Sequence, residues 1–66
     1  MEFKCRLKVI FAEREIRQGE FADKIGVSAA AMSTITNGHS LPSFPVVYRI
    51  SEELDLDIRE IWIRKE

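Results

Sequence analysis

The segment from Gln18 to Gly38, QGEFADKIGVSAAAMSTITNG, restricts the fold more than any other part of the chain. Its apolar and small residues fall at Phe21, Ala22, Ile25, Val27, Met32 and Ile35. Phe21 and Ile25 stand one helical turn apart and share a face, and Met32 and Ile35 share a face of a second helix. Gly26, between them, can take the positive φ that a tight connection needs. Ser28 is placed to N-cap the second helix, and Ala22 is small where two helices must approach. The spacing predicts helices over 18–25 and 29–36. Asn37 and Gly38 end the second, because both tolerate the left-handed conformation that terminates helices.

Two short helices joined in this way form a helix-turn-helix over about residues 18–37, a motif whose usual job is to place its second helix in the DNA major groove. Further helices are predicted on either side. One runs from about Lys4 or Cys5 to Arg14, with Leu7, Ile10 and Phe11 as its inward stripe, and Ile16 covers the core in the connection that follows. His39 to Pro42 reads as a loop. Ser43 then N-caps a fourth helix, where Pro45 is tolerated because it lies in the first turn. Phe44, Val47, Ile50 and Leu54 read as its buried stripe. Asp57 and Glu60 have the spacing of a capping box that opens a last short helix toward Ile61.

The two ends are ambiguous. Phe3 and Cys5 alternate with charged residues, and Ile61 and Ile63 flank Trp62, so each end could be a short strand. Such strands could pair with each other or across a dimer axis, and frayed helix ends explain the pattern equally well. The expected fold is all-α, a compact five-helix domain with short terminal strands as an option. Sixty-six residues allow one domain, 1–66, and one small core.

Composition excludes several function classes. No apolar run approaches the roughly 20 residues of a membrane span. The start, MEFKCRLK, lacks a signal peptide's apolar block, so a cytoplasmic protein is expected. A single cysteine and a single histidine exclude an internal disulfide framework and make no convincing zinc site. Cys5 reads as a small buried hydrophobe. His39 has neither a nucleophile nor a second metal ligand near it. With no paired-carboxylate pocket, thiol–imidazole pair or phosphate-cradling glycine loop, we expect no catalytic residues, no metal, no cofactor and no small-molecule ligand.

Net charge is −1, low for a nucleic-acid-binding domain, since neutralised phosphates supply much of the affinity. The charges are unevenly spread, however. Lys4, Arg6, Lys8, Arg14, Arg17 and Lys24 lie early, and Glu52, Glu53, Asp55, Asp57 and Glu60 lie late. A basic surface can still form on one half.

With Gln18, Ala22, Gly26, Val27-Ser28, Asn37-Gly38 and Pro42-Ser43 in these places, the chain resembles the phage-repressor, or Xre/Cro-type, helix-turn-helix family from about Arg6 to Ile61. The resemblance implies a lambda-repressor-like DNA-binding domain, usually dimeric on operators with two half-sites, that regulates transcription in bacteria and phages. It implies a phosphate contact from Gln18 and a backbone contact from Asn37. Ala29, Ala30 and Thr34 depart from the family, which typically carries Arg, Gln, Lys or Asn there. Base contacts by Ala29, Ala30, Ser33 and Thr34 would then rest on methyl packing against thymine and on single hydroxyl hydrogen bonds, with DNA shape adding the rest.

A second departure is paired. The family often joins an arginine in the first helix to a glutamate at the end of the third, and here those positions are Phe11 and Thr36. Changing both members of a buried ion pair strands no charge, so a repacked core is expected. Arg17 stands where a Ser or Thr cap is usual, and Gly19 where a helix former is usual. The second helix should begin less firmly, while Arg17 gains a phosphate contact.

The partners expected are double-stranded DNA and a second copy of the chain. Arg17, Gln18, Ser28, Asn37 and His39 are the phosphate candidates, with Lys24 and Arg49 behind them; solvated surface charge explains any single basic residue as well. Ile58, Ile61, Trp62 and Ile63 are the dimer candidates, led by Trp62 because aromatics concentrate at interface centres; buried core is the competing account of Trp62. The rival reading is a protein-interaction module, antitoxin-like or an antirepressor adaptor, whose alanine-rich third helix packs against protein.

Overall fold

Five helices and a two-stranded ribbon make up the chain in the computed structural model, which describes residues 2–65. The elements are β1 (Glu2–Cys5), α1 (Leu7–Arg14), α2 (Gln18–Ile25), α3 (Ala29–Thr36), α4 (Phe44–Leu54), α5 (Ile58–Ile61) and β2 (Trp62–Lys65). The core is assembled from all five helices. Leu7, Met32, Ile50 and Ile61, one from each of α1, α3, α4 and α5, are wholly removed from solvent. Phe21 of α2 completes the middle by packing its ring against Phe11, with centroids 4.9 Å apart and planes tilted by 52°, a favourable aromatic arrangement.

The ends of the chain pair with each other. β1 and β2 run antiparallel, with Glu2 opposite Lys65, Phe3 opposite Arg64, Lys4 opposite Ile63 and Cys5 opposite Trp62. Opposed residues share a face and successive residues alternate. Trp62 and the half-buried Cys5 therefore face the helices, while Ile63, Lys4 and the Glu2–Lys65 ion pair (4.0 Å) face outward. The ribbon corrects the expected start of the first helix. Residues 2–5 are extended, the Arg6 amide donates to the Ile61 carbonyl at 2.8 Å, and α1 begins only at Leu7.

A second correction concerns α4. Phe44, expected in its buried stripe, is 71% exposed, and the helix buries only Ile50 and Leu54 fully. At 3.6 residues per turn, a residue six positions before Ile50 points roughly 120° away from it. Val46 and Val47, four and three positions before, are the ones that lean on the core.

Helix ends show how the sequence sets the boundaries. Ser28 Oγ accepts the Ala31 amide at 3.1 Å. The Asp57–Glu60 capping box is closed on both sides, each side chain taking the other residue's end of the helix. Two left-handed closures are made without glycine: Glu15 and Asp55 close α1 and α4 with φ of 56° and 55°. Arg14 secures the α4 end, donating from Nη1 to the Leu54 carbonyl at 2.6 Å. No helix among the described residues is long and apolar enough to cross a membrane.

Candidate nucleic-acid interface

The geometry of α2 and α3 follows from the residues between them. Gly26 adopts φ 80°, and the amides of Gly26 and Val27 return to the Ala22 carbonyl at 2.9 and 3.0 Å. This left-handed closure turns the chain sharply enough for Ala22, 1% exposed, to sit in the angle between the helices. Phe21, Ala22 and Ile25 are buried on α2, and Met32, Ile35 and Thr36 on α3. With that face anchored, Ala29, Ala30, Ala31 and Thr34 are left exposed, and Ser33 half-exposed, on the other side of α3.

That outer face is apolar at close range. Thr34 donates its hydroxyl to the Ala30 carbonyl at 3.1 Å, the back-bonding habit of threonine inside helices. Asn37 turns its amide to Ser33 Oγ at 3.3 Å, and Ser28 is occupied as the N-cap. The methyl groups of the three alanines are what α3 presents first.

The head of α2 lies beside the far end of α3. Thr36 Oγ1 is within 3.0 Å of Gln18 Oε1 and 3.1 Å of the Ser33 carbonyl. This contact brings two of the expected phosphate contacts, Gln18 and Asn37, to adjoining helix ends. With its oxygen held, the Gln18 amide keeps its NH₂ group as a donor. Arg17, at the N-cap, offers no side-chain cap to α2. Its guanidinium lies 3.8 Å from Glu20 in an exposed pair, which contributes little to stability and can be exchanged for another anion. The uncapped first-turn amides and the positive end of the helix dipole favour an anion at that place.

The remaining candidates are distributed differently. His39 is exposed just past α3, its amide bonded to the Thr34 carbonyl at 3.1 Å. Lys24 is exposed at the end of α2. Arg49 is engaged structurally, donating to the Lys24 carbonyl at 2.8 Å. Phe11 and Thr36 are both buried, at 5% and 4% exposure, and each has a neutral partner in Phe21 and Gln18. No buried charge is left stranded by the pair.

Residues 7–61 match the family described as helix-turn-helix. The chain belongs to that family. Its type is the Xre/Cro, phage-repressor-like helix-turn-helix, and its members are DNA-binding transcriptional regulators. No curated protein matches the chain. Within this helix-turn-helix domain α2 and α3 are the two helices of the motif.

The expected dimer residues fare unevenly. Ile61 is wholly buried and Trp62 is 6% exposed, both in the chain's own core, so neither side chain is available to a partner. Ile63 is 39% exposed and Ile58 half-buried. Sequence reasoning missed three large apolar residues at the surface: Leu41 at 60%, Phe44 at 71% and Tyr48 at 53% exposure. The signal was present, in the nine residues from Ser40 to Tyr48 without a charge.

Proposed function

We propose that this helix-turn-helix protein is a small cytoplasmic bacterial or phage regulator, of the repressor type, that binds duplex DNA with a sequence preference as a homodimer. α3 enters the major groove with Ala29, Ala30, Ser33 and Thr34 nearest the base edges. Arg17, Gln18, Ser28, Asn37 and His39 hold the phosphates on either side. The observation that carries this reading is the family match combined with an α3 whose inner face is fully anchored and whose outer face is unobstructed.

The chemistry of that face sets the mode of readout. Long bidentate side chains are lacking, and each such contact is worth roughly 1–3 kcal/mol of discrimination. Methyl groups read the C5-methyl of thymine by apolar contact, so preference rests on thymine placement and groove shape. One such helix binds weakly. Two copies on adjoining half-sites gain through effective concentration.

The test is a titration of genomic duplex fragments across a salt series. Binding whose affinity falls steeply and log-linearly with salt, by about 0.9 in slope per phosphate neutralised, supports the proposal. An absence of binding at low salt favours the protein-interaction adaptor.

A further inference from the structure

The exposed hydroxyl of α3 has a fixed direction. Thr34 is exposed, and its hydroxyl proton goes to the Ala30 carbonyl at 3.1 Å. A hydroxyl has one proton and two lone pairs, so what Thr34 turns outward is an acceptor. Donating to a base would cost it the bond to Ala30, whereas accepting from one keeps both bonds. The neighbouring hydroxyl oxygens are already engaged. Ser33 Oγ accepts the Asn37 amide at 3.3 Å, and Ser28 Oγ accepts the Ala31 amide at 3.1 Å. No residue of α3 is charged.

Methyl groups lie beside that acceptor. Ala30 stands one turn before Thr34 and shares its side of the helix. Thr34 itself carries a methyl on the same carbon as its hydroxyl. The face therefore suits an apolar group and a hydrogen-bond donor placed side by side.

Few base edges supply both. In the major groove thymine has a C5-methyl, but the atom next to it is O4, an acceptor. Cytosine has the N4 amino donor and no methyl. The N6 donor of adenine lies across the pair from the thymine methyl, with O4 between them. Cytosine methylated at C5 carries the methyl and the N4 donor on adjacent ring carbons.

We infer that α3 reads 5-methylcytosine, so that methylation of cytosine in the bound duplex raises the affinity of this protein for it. The inference rests on the regulator reading above, in which this face lies in the major groove. It adds the chemical state of the base and makes methylation of the DNA a control on binding. The alanine methyls recognise the C5-methyl that thymine and 5-methylcytosine share. The Thr34 acceptor separates the two.

The experiment is an anisotropy titration of the whole chain on a duplex selected from genomic fragments amplified with cytosine or with 5-methylcytosine. That duplex is remade with 5-methylcytosine, cytosine, thymine or uracil, and the matching purine, at each pyrimidine position in turn. At the position over Thr34, 5-methylcytosine is expected to bind tightest. Cytosine, without the methyl, falls about fourfold, the effect of one buried methylene. Thymine, without the donor, falls roughly fivefold, the effect of one net hydrogen bond. Uracil lacks both and falls about twentyfold. Thr34→Val keeps the shape and removes the acceptor, and circular dichroism checks that this exposed change leaves the fold intact. In that variant 5-methylcytosine and thymine bind alike, while 5-methylcytosine stays about fourfold above cytosine.

Equal affinity for 5-methylcytosine and cytosine at every position overturns the inference. So does an advantage over thymine that survives in Thr34→Val. Either result leaves the regulator reading standing, because the duplex is still bound. A protein that binds no duplex at low salt, methylated or plain, ends the regulator reading and this inference with it.

Discussion

Thr36 Oγ1 and Gln18 Oε1, eighteen residues apart in the chain, lie 3.0 Å from each other and tie the end of α3 to the head of α2. Thr36 is the buried polar residue of the core, at 4% exposure. Its single hydroxyl proton is therefore obliged to find an acceptor, and Gln18 Oε1 and the Ser33 carbonyl share it. The bond does two things. It satisfies a buried donor, and it fixes the orientation of the side chain proposed to grip a phosphate.

Thr36→Val removes the hydroxyl and keeps the shape. We expect a loss of about 1 kcal/mol in chemical denaturation, the usual net value of one such bond. DNA affinity should fall further than stability accounts for, because Gln18 becomes free to rotate. Comparing Thr36→Val with Gln18→Ala in a double-mutant cycle on DNA binding checks this. If the two losses add, the contact does not position Gln18.

Glu15 closes α1 at φ 56°, a conformation that costs an L-residue roughly 1–2 kcal/mol and a glycine almost nothing. Its side chain is exposed. Glycine also gains entropy in the unfolded chain, which offsets part of the relief. Glu15→Gly is expected to stabilise the fold by about 0.5–1 kcal/mol, raising the melting temperature by a few degrees for a domain of this size. Glu15→Ala, which keeps the strain, should show no such rise.

Much of this architecture was legible in the residues alone, and the reason is local. Gly26, Ser28, Gly38 and the Asp57–Glu60 pair act within a few positions of themselves, and each does in the fold what its chemistry allows; Asn37, expected to turn left-handed with Gly38, stays right-handed at φ −82°, and Gly38 alone makes the turn at φ 75°. The family was legible for the same cause, since its landmarks lie in turns and caps. What escaped is non-local. Whether Trp62 serves the core or a partner depends on the ribbon, which exists only because residues 2–5 reach residues 62–65. The partner of Gln18 lies eighteen positions away and belongs to no pattern. Phe44 escaped for a different reason: a stripe drawn at i, i+3, i+6 drifts around the helix by roughly 120° over six residues.

Cys5 is half-buried against Trp62 in the ribbon. Burial pushes its thiol above the ordinary value, and a hydrogen bond from the Leu7 backbone draws it back only in part. The folded state therefore prefers the neutral thiol. For a group raised on folding, the stabilising contribution is intact below its unfolded pKa and is lost as pH climbs through the folded one. Urea melts should show the wild type losing stability above about pH 8.5 relative to Cys5→Ala, which has no thiol to ionise. Parallel pH profiles for the two proteins would remove the thiol from the account.

The outer face of α3 offers the most direct test of readout. Ala29 and Ala30 are exposed and support no packing, so Ala29→Glu with Ala30→Glu should leave the melting curve within about 0.5 kcal/mol of wild type, the usual range for surface changes. Beside phosphates, two added carboxylates repel, and binding to duplex DNA should be abolished. The complementary change is made in the DNA. Replacing thymine by deoxyuridine in a selected site deletes C5-methyl groups and alters no hydrogen-bonding edge. Each methyl that packs on Ala29, Ala30 or the Thr34 methyl is expected to contribute about 0.8 kcal/mol, the value of one buried methylene, so its removal lowers affinity roughly fourfold. Anisotropy titrations on the two duplexes measure the difference. Equal affinity for thymine and deoxyuridine sites, in a protein that still loses binding with the glutamates, would place α3 at the DNA but assign its preference to groove shape.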